Sequence, residues 1–62
     1  MVRYVITVDV REDEVSVVVS RNGKYYDEVS FHVTEVGGFS EYMHDITTQI
    51  LREMYNLRKR GD

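Results

Sequence analysis

The sequence predicts an α+β fold: a three-stranded antiparallel meander, order 1-2-3, with one C-terminal helix packed on one face (βββα). Three observations predict it. Apolar and polar residues alternate with a period of two in three segments ahead of Thr34. Short polar stretches around Glu12-Asp13 and Asn22-Gly23 separate those segments. From Phe39 onward the apolar period becomes that of a helix.

The first strand is the clearest. Val2, Tyr4, Ile6, Val8 and Val10 alternate with Arg3, Val5, Thr7, Asp9 and Arg11. In the second, Val15, Val17 and Val19 face one way, and Glu14, Ser16, Val18 and Ser20 the other. A two-residue loop at Glu12-Asp13 pairs Val10 with Val15, Val8 with Val17 and Ile6 with Val19. These six apolar residues then share one face, and Arg11 falls opposite Glu14.

The third strand carries Tyr25, Val29, Phe31 and Val33 on its inward face, with Asp27 intruding there. Asn22-Gly23 is the usual signature of a two-residue type I′ hairpin. A regular ladder from such a turn would send Val29 and Phe31 to the wrong side. A three-residue loop, Arg21-Asn22-Gly23, with Gly23 left-handed in a G1 bulge, repairs the faces and pairs Val19 with Tyr25 and Val15 with Val29. The bulged turn is therefore expected.

Thr34-Glu35-Val36-Gly37-Gly38 reads as a flexible connection, with Ser40 as N-cap of the helix and Glu41 in its first turn. At about 100° per residue, Phe39, Met43, Ile46, Ile50, Met54 and Leu57 form the stripe that covers the sheet. Glu41, Asp45, Arg52, Asn56 and Lys59 belong in water. The cations of Leu57-Arg58-Lys59-Arg60-Gly61-Asp62 suit the negative end of the helix dipole, and Gly61 suits a C′ stop.

Residues 1–62 are read as one domain, with a thin core for its length. Small domains compensate with disulfides, a metal or self-association. The sequence has no cysteine, and His32 and His44 lack thiol partners, which leaves packing or a homodimer. A formal charge of −3 with mixed signs is no footprint for nucleic acid. No apolar run resembles a signal peptide or membrane span, so a cytoplasmic location without membrane association is expected.

The motifs that carry chemistry are missing from the pattern. Asp9 and Glu28 are expected in one row of the open sheet face, about 10 Å apart across two strand spacings. That suits an inverting carboxylate pair, but an open face has no pocket to tune them. His32 and His44 fall on different layers and share no metal within one protomer. Three antiparallel strands and a helix, with Asp9 on the first strand, resemble the opening of ribonuclease-H-like domains, which keep a metal-binding carboxylate there. Those folds need more strands and carboxylates to hold their metal ions, so the likeness is one of topology. No enzymatic activity, metal or cofactor is expected.

Two surfaces remain unused by the predicted fold. On the open sheet face, Val5, Val18 and Tyr26 make a small apolar centre ringed by charge. On the helix, His44, Leu51 and Tyr55, with Thr47 and Thr48, form a second flank beside the core stripe. Edge strands 1 and 3 add a second route to association, pairing backbone across a dimer, and strand 1 is guarded only by Arg3, Asp9 and Arg11. These features lead to a non-enzymatic protein–protein interaction or regulatory module, a homodimer of the kind that phages or plasmids encode as small regulators or inhibitors. The alternative is a nucleic-acid-binding βββα module using Arg3, Arg11, Lys24, Tyr26 and the basic tail, which Asp9, Glu14 and Glu28 on the same face oppose.

Overall fold

A computed structural model describes residues 1–60; the Gly61 stop falls outside the described residues. Strands β1 (Tyr4–Val10), β2 (Glu14–Arg21) and β3 (Lys24–His32) form an antiparallel sheet in the order 1-2-3, followed by helix α1 (Val36–Lys59). The βββα architecture read from the sequence is the fold of the chain.

The β1–β2 register is the predicted one, with Val10 opposite Val15, Val8 opposite Val17 and Ile6 opposite Val19. The Arg11 N–H donates to the Glu14 carbonyl at 2.8 Å and closes the turn. At the other end, Asn22 ties down the start of the sheet. Its N–H donates to the Arg3 carbonyl at 2.7 Å, and its Oδ1 accepts the Arg3 N–H at 2.9 Å.

The second hairpin differs from expectation. Arg21 pairs directly with Lys24, so the loop is the two residues Asn22 (φ 55°) and Gly23 (φ 78°). Both are left-handed, as a type I′ turn requires. The extra residue lies further along: Ser20 pairs with Tyr25 but Val19 with Asp27, leaving Tyr26 unpaired in a β-bulge. The bulge restores the inward faces of Val29 and Phe31, now opposite Val17 and Val15. It also exchanges the tyrosines. Tyr25 goes to the open face, while Tyr26 lies edge-on to Tyr4 on the helix side, ring centroids 5.9 Å apart. Lys24 also moves from its expected open-face row to the helix side, opposite Arg21.

The helix begins four residues before the predicted Ser40 cap. Glu35 is the N-cap residue, and its carboxylate accepts the His32 N–H at 3.0 Å instead of capping the helix. Gly37 and Gly38 are therefore helical, at an intrinsic cost of about 1 kcal/mol each. Packing explains Gly38. A Cβ there would sit 3.2 Å from Phe31 Cε1, so the glycine lets the first turn approach the ring. Phe31 then meets Phe39 and Tyr42, with centroids 6.0 and 6.1 Å away.

The core is thin. Val17 and Val19, each 0% exposed, meet Ile46 beneath the helix, with Tyr4, Ile6, Val15, Val29, Phe39, Tyr42, Met43 and Ile50 packed around them. The inward stripe of α1 differs from prediction at two kinds of position. Met54 is 52% exposed, whereas Tyr42 and Glu53 turn towards the sheet.

Candidate functional site

Two polar links position the helix on the sheet. Near its C-terminal half, Arg21 clasps Glu53 Oε1 with Nε at 2.7 Å and Nη2 at 2.6 Å. Tyr4 donates its hydroxyl to the same oxygen at 3.3 Å. Loss of solvent raises the Tyr4 pKa most, with Arg21 pulling it down and Glu53 adding to the rise. Further towards the N-terminus, Tyr42 donates to Asp27 Oδ2 at 2.9 Å. Burial, followed by that carboxylate, pushes the Tyr42 phenol up to about 12. Asp27 thus finds the partner that an acid on an inward face needs.

These links orient α1 diagonally. Its first turn rests on Phe31, near the end of β3, and its C-terminal half lies over the start of β1. A shallow groove opens there between Val2, Tyr4, Ile50, Glu53, Met54 and Leu57. The opposite end of β1 is uncovered, although it belongs to the same sheet face. Val8 is exposed, and Val10 is 75% exposed.

The predicted helix flank is fully in solvent. His44, Leu51 and Tyr55 project within about 40° of one another on the side of α1 opposite Ile46. Leu51 is 54% and Tyr55 65% exposed, so neither covers a sheet edge. Thr47 and Thr48 between them donate to the Met43 and His44 carbonyls, at 2.9 and 3.0 Å. The exposed apolar strip continues through Tyr55 and Met54 to a shallow recess bordered by Arg58 and Lys59.

The open sheet face keeps Val5 and Val18 but not Tyr26. Its rows are Val5–Ser20–Tyr25, Thr7–Val18–Glu28 and Asp9–Ser16–Ser30. Tyr25 takes the row expected of Lys24, Glu28 takes the place expected of Tyr26 beside Val18, and Tyr25 donates to Glu28 Oε1 at 3.4 Å. Loss of solvent, then the charges of Glu28 and Asp27, raise the Tyr25 pKa. The shift of register also separates Asp9 from Glu28, so the expected carboxylate row does not form. Arg11 is engaged by Glu14 at 3.9 Å, and with Lys24 on the helix side the open face is less basic than expected.

His32 lies on β3 opposite Glu14, its ring Nδ1 3.0 Å from Thr34 Oγ1, while His44 projects from the helix. Among the described residues no three His, Asp or Glu side chains are grouped to hold a metal ion. No helix there is long and apolar enough to cross a membrane.

Sequence reasoning missed the roles of Arg21, Tyr42 and Glu53, and the partner of Asp27. Asp27 on an inward strand face was the available signal, because a buried acid implies a donor on the packed helix. The surfaces left over are the outer helix flank, the Val5–Val18–Tyr25 patch, and the bare end of β1. No protein-family profile, curated protein or solved structure matches the chain.

Proposed function

We propose that this chain is a non-enzymatic protein–protein interaction module, a small regulator or inhibitor that acts as a homodimer. The supporting observation is the excess surface of the single protomer. Its accessible area is 5040 Å², against about 4,200 Å² for a self-contained globular protein of this mass. The excess of about 800 Å² approaches what one partner contributes to a standard interface. Its radius of gyration, 13.7 Å, similarly exceeds the roughly 11 Å of a compact 62-residue domain.

The excess is rich in large apolar groups. Val10, Leu51, Met54 and Tyr55 are each more than half exposed, whereas among the described residues the fully buried side chains are two valines. Isolated exposed apolar residues are ordinary, but contiguous ones, as Leu51, Tyr55 and Met54 are, mark association surfaces, and Val10 stands apart from them at the bare end of β1.

Sedimentation equilibrium over a micromolar concentration series tests the reading. The expected result is a dimer that dissociates on dilution. A monomer at every concentration would remove the homodimer from the proposal.

A further inference from the structure

Resting on the homodimer reading, we infer that the partner of the free β1 edge is the β1 strand of a second copy, antiparallel and centred on Ile6. The two three-stranded sheets would join into one, with both helices on the same face.

The two sheet edges are unequal. The outer edge of β3 is broken by the Tyr26 bulge and carries Lys24, Asp27 and Glu28, features that discourage strand addition. β1 pairs with β2 without a register shift over all seven residues, and has neither proline nor bulge. It is the straight edge of the sheet.

Backbone direction limits the possible registers. The Arg11 N–H and the Arg3 carbonyl both bond towards the β1–β2 hairpin. Odd-numbered residues of β1 therefore point their backbone groups at β2. Tyr4, Ile6, Val8 and Val10 point theirs outward. A two-fold pairing must join outward residues to outward residues, so its centre lies on or between them.

Charge then selects among these registers. Centred on Ile6, the pairs are Ile6 with Ile6, Tyr4 with Val8, and Val2 with Val10. Arg3 falls opposite Asp9, and the two-fold axis makes that favourable pair twice. Centred one step along, on Thr7, the strands would oppose Arg3 to Arg11 twice. Arg3 and Asp9 are exposed, and among the described residues neither takes part in an ion pair.

The same register brings a partner to the bare end of β1. Val8 and Val10 of one copy come to lie beside Tyr4 and Val2 of the other. Those two residues line the groove beneath Met54 and Leu57. The overhanging C-terminal half of α1 in each copy is thus positioned to roof the uncovered end of β1 in its partner. A surface that is incomplete at both ends becomes complete by being used twice.

Charge reversal tests the register. Arg3→Glu and Asp9→Arg each place like charges at both symmetric sites, and each should raise the dimer dissociation constant on the order of tenfold at low salt. Mixing the two variants restores opposite charges at both sites. The mixture should form heterodimers, identified by native mass spectrometry. If Arg3→Glu strengthens the dimer, the Thr7-centred register is correct and the inference fails. If the wild type dimerises and both variants do too without change, the interface lies elsewhere. A wild type that stays monomeric removes the homodimer reading itself. Circular dichroism verifies folding; should a reversal unfold the chain, Arg3→Gln and Asp9→Asn serve instead. Each must weaken the dimer, mixing them must restore one of the two Arg3–Asp9 pairs and so part of the affinity, and unchanged association would overturn the inference.

Discussion

Tyr42 of the helix donates its phenolic hydrogen to Asp27 at 2.9 Å, and Asp27 immediately follows the bulged residue of β3. The bulge and the helix docking are thereby coupled. The extra residue keeps Asp27 inward, and the helix supplies the donor that an inward carboxylate requires.

The coupling has a pH signature. The Tyr42 pKa in the folded chain is about 12, above the ordinary 10.0, with burial as the leading cause. Its contribution is therefore fully present below pH 10 and declines as pH rises towards 12. Tyr42→Phe should lower stability by about 1 kcal/mol at neutral pH. It should also flatten the alkaline loss relative to wild type. Urea titrations at pH values below and above 10 measure both; parallel alkaline curves for the two proteins would contradict the assignment.

The Arg21–Glu53 clasp should behave as a modest, partly shielded ion pair. The two side chains are 38% and 21% exposed, so solvent screens much of their attraction. A double-mutant cycle with Arg21→Met and Glu53→Gln is expected to give a coupling of about 0.5–1 kcal/mol, decreasing with added salt. Additive effects of the two substitutions would mean that the bond contributes nothing to holding the helix.

The two glycines of the first helical turn should respond differently to alanine. A Cβ at Gly37 meets nothing within 4 Å, whereas one at Gly38 meets the Phe31 ring. Gly37→Ala should gain about 0.5–1 kcal/mol from helix propensity. Gly38→Ala should gain clearly less, or lose stability, because the ring must move. Thermal melts of the two variants decide the order. Equal gains would show that the close approach to Phe31 is unimportant.

Much of the fold was legible because β1 and β2 alternate without interruption. Once Ile6, Val8 and Val10 must share a face with Val19, Val17 and Val15, a single register survives. The second hairpin was only half legible. The inward faces of Val29 and Phe31 demanded one extra residue, but the pattern does not say where it sits. Asn22 and Gly23 kept their two-residue turn, and the irregularity moved to Tyr26, exchanging the faces of two chemically similar tyrosines. The helix start was hidden by the low helix propensity of Gly37 and Gly38; only Gly38 is explained by a contact between distant residues, its close approach to Phe31. Of the candidate surface, the exposed Leu51, Tyr55, His44, Val5 and Val18 were identifiable by periodicity. The bare end of β1 was not, because it depends on the diagonal course of the helix.

A core of so few buried side chains also has a calorimetric consequence. For a chain of 62 residues the unfolding entropy is about 0.13 kcal/mol/K, so a free-energy change of 1 kcal/mol moves the melting midpoint by about 8 °C. The endotherm of such a protein is low and broad. A ligand or second subunit that binds only the folded chain would shift it by an amount set by its concentration relative to Kd. Differential scanning calorimetry across a dilution series would thus turn Val17, Val19 and Ile46 into a sensitive thermometer of association.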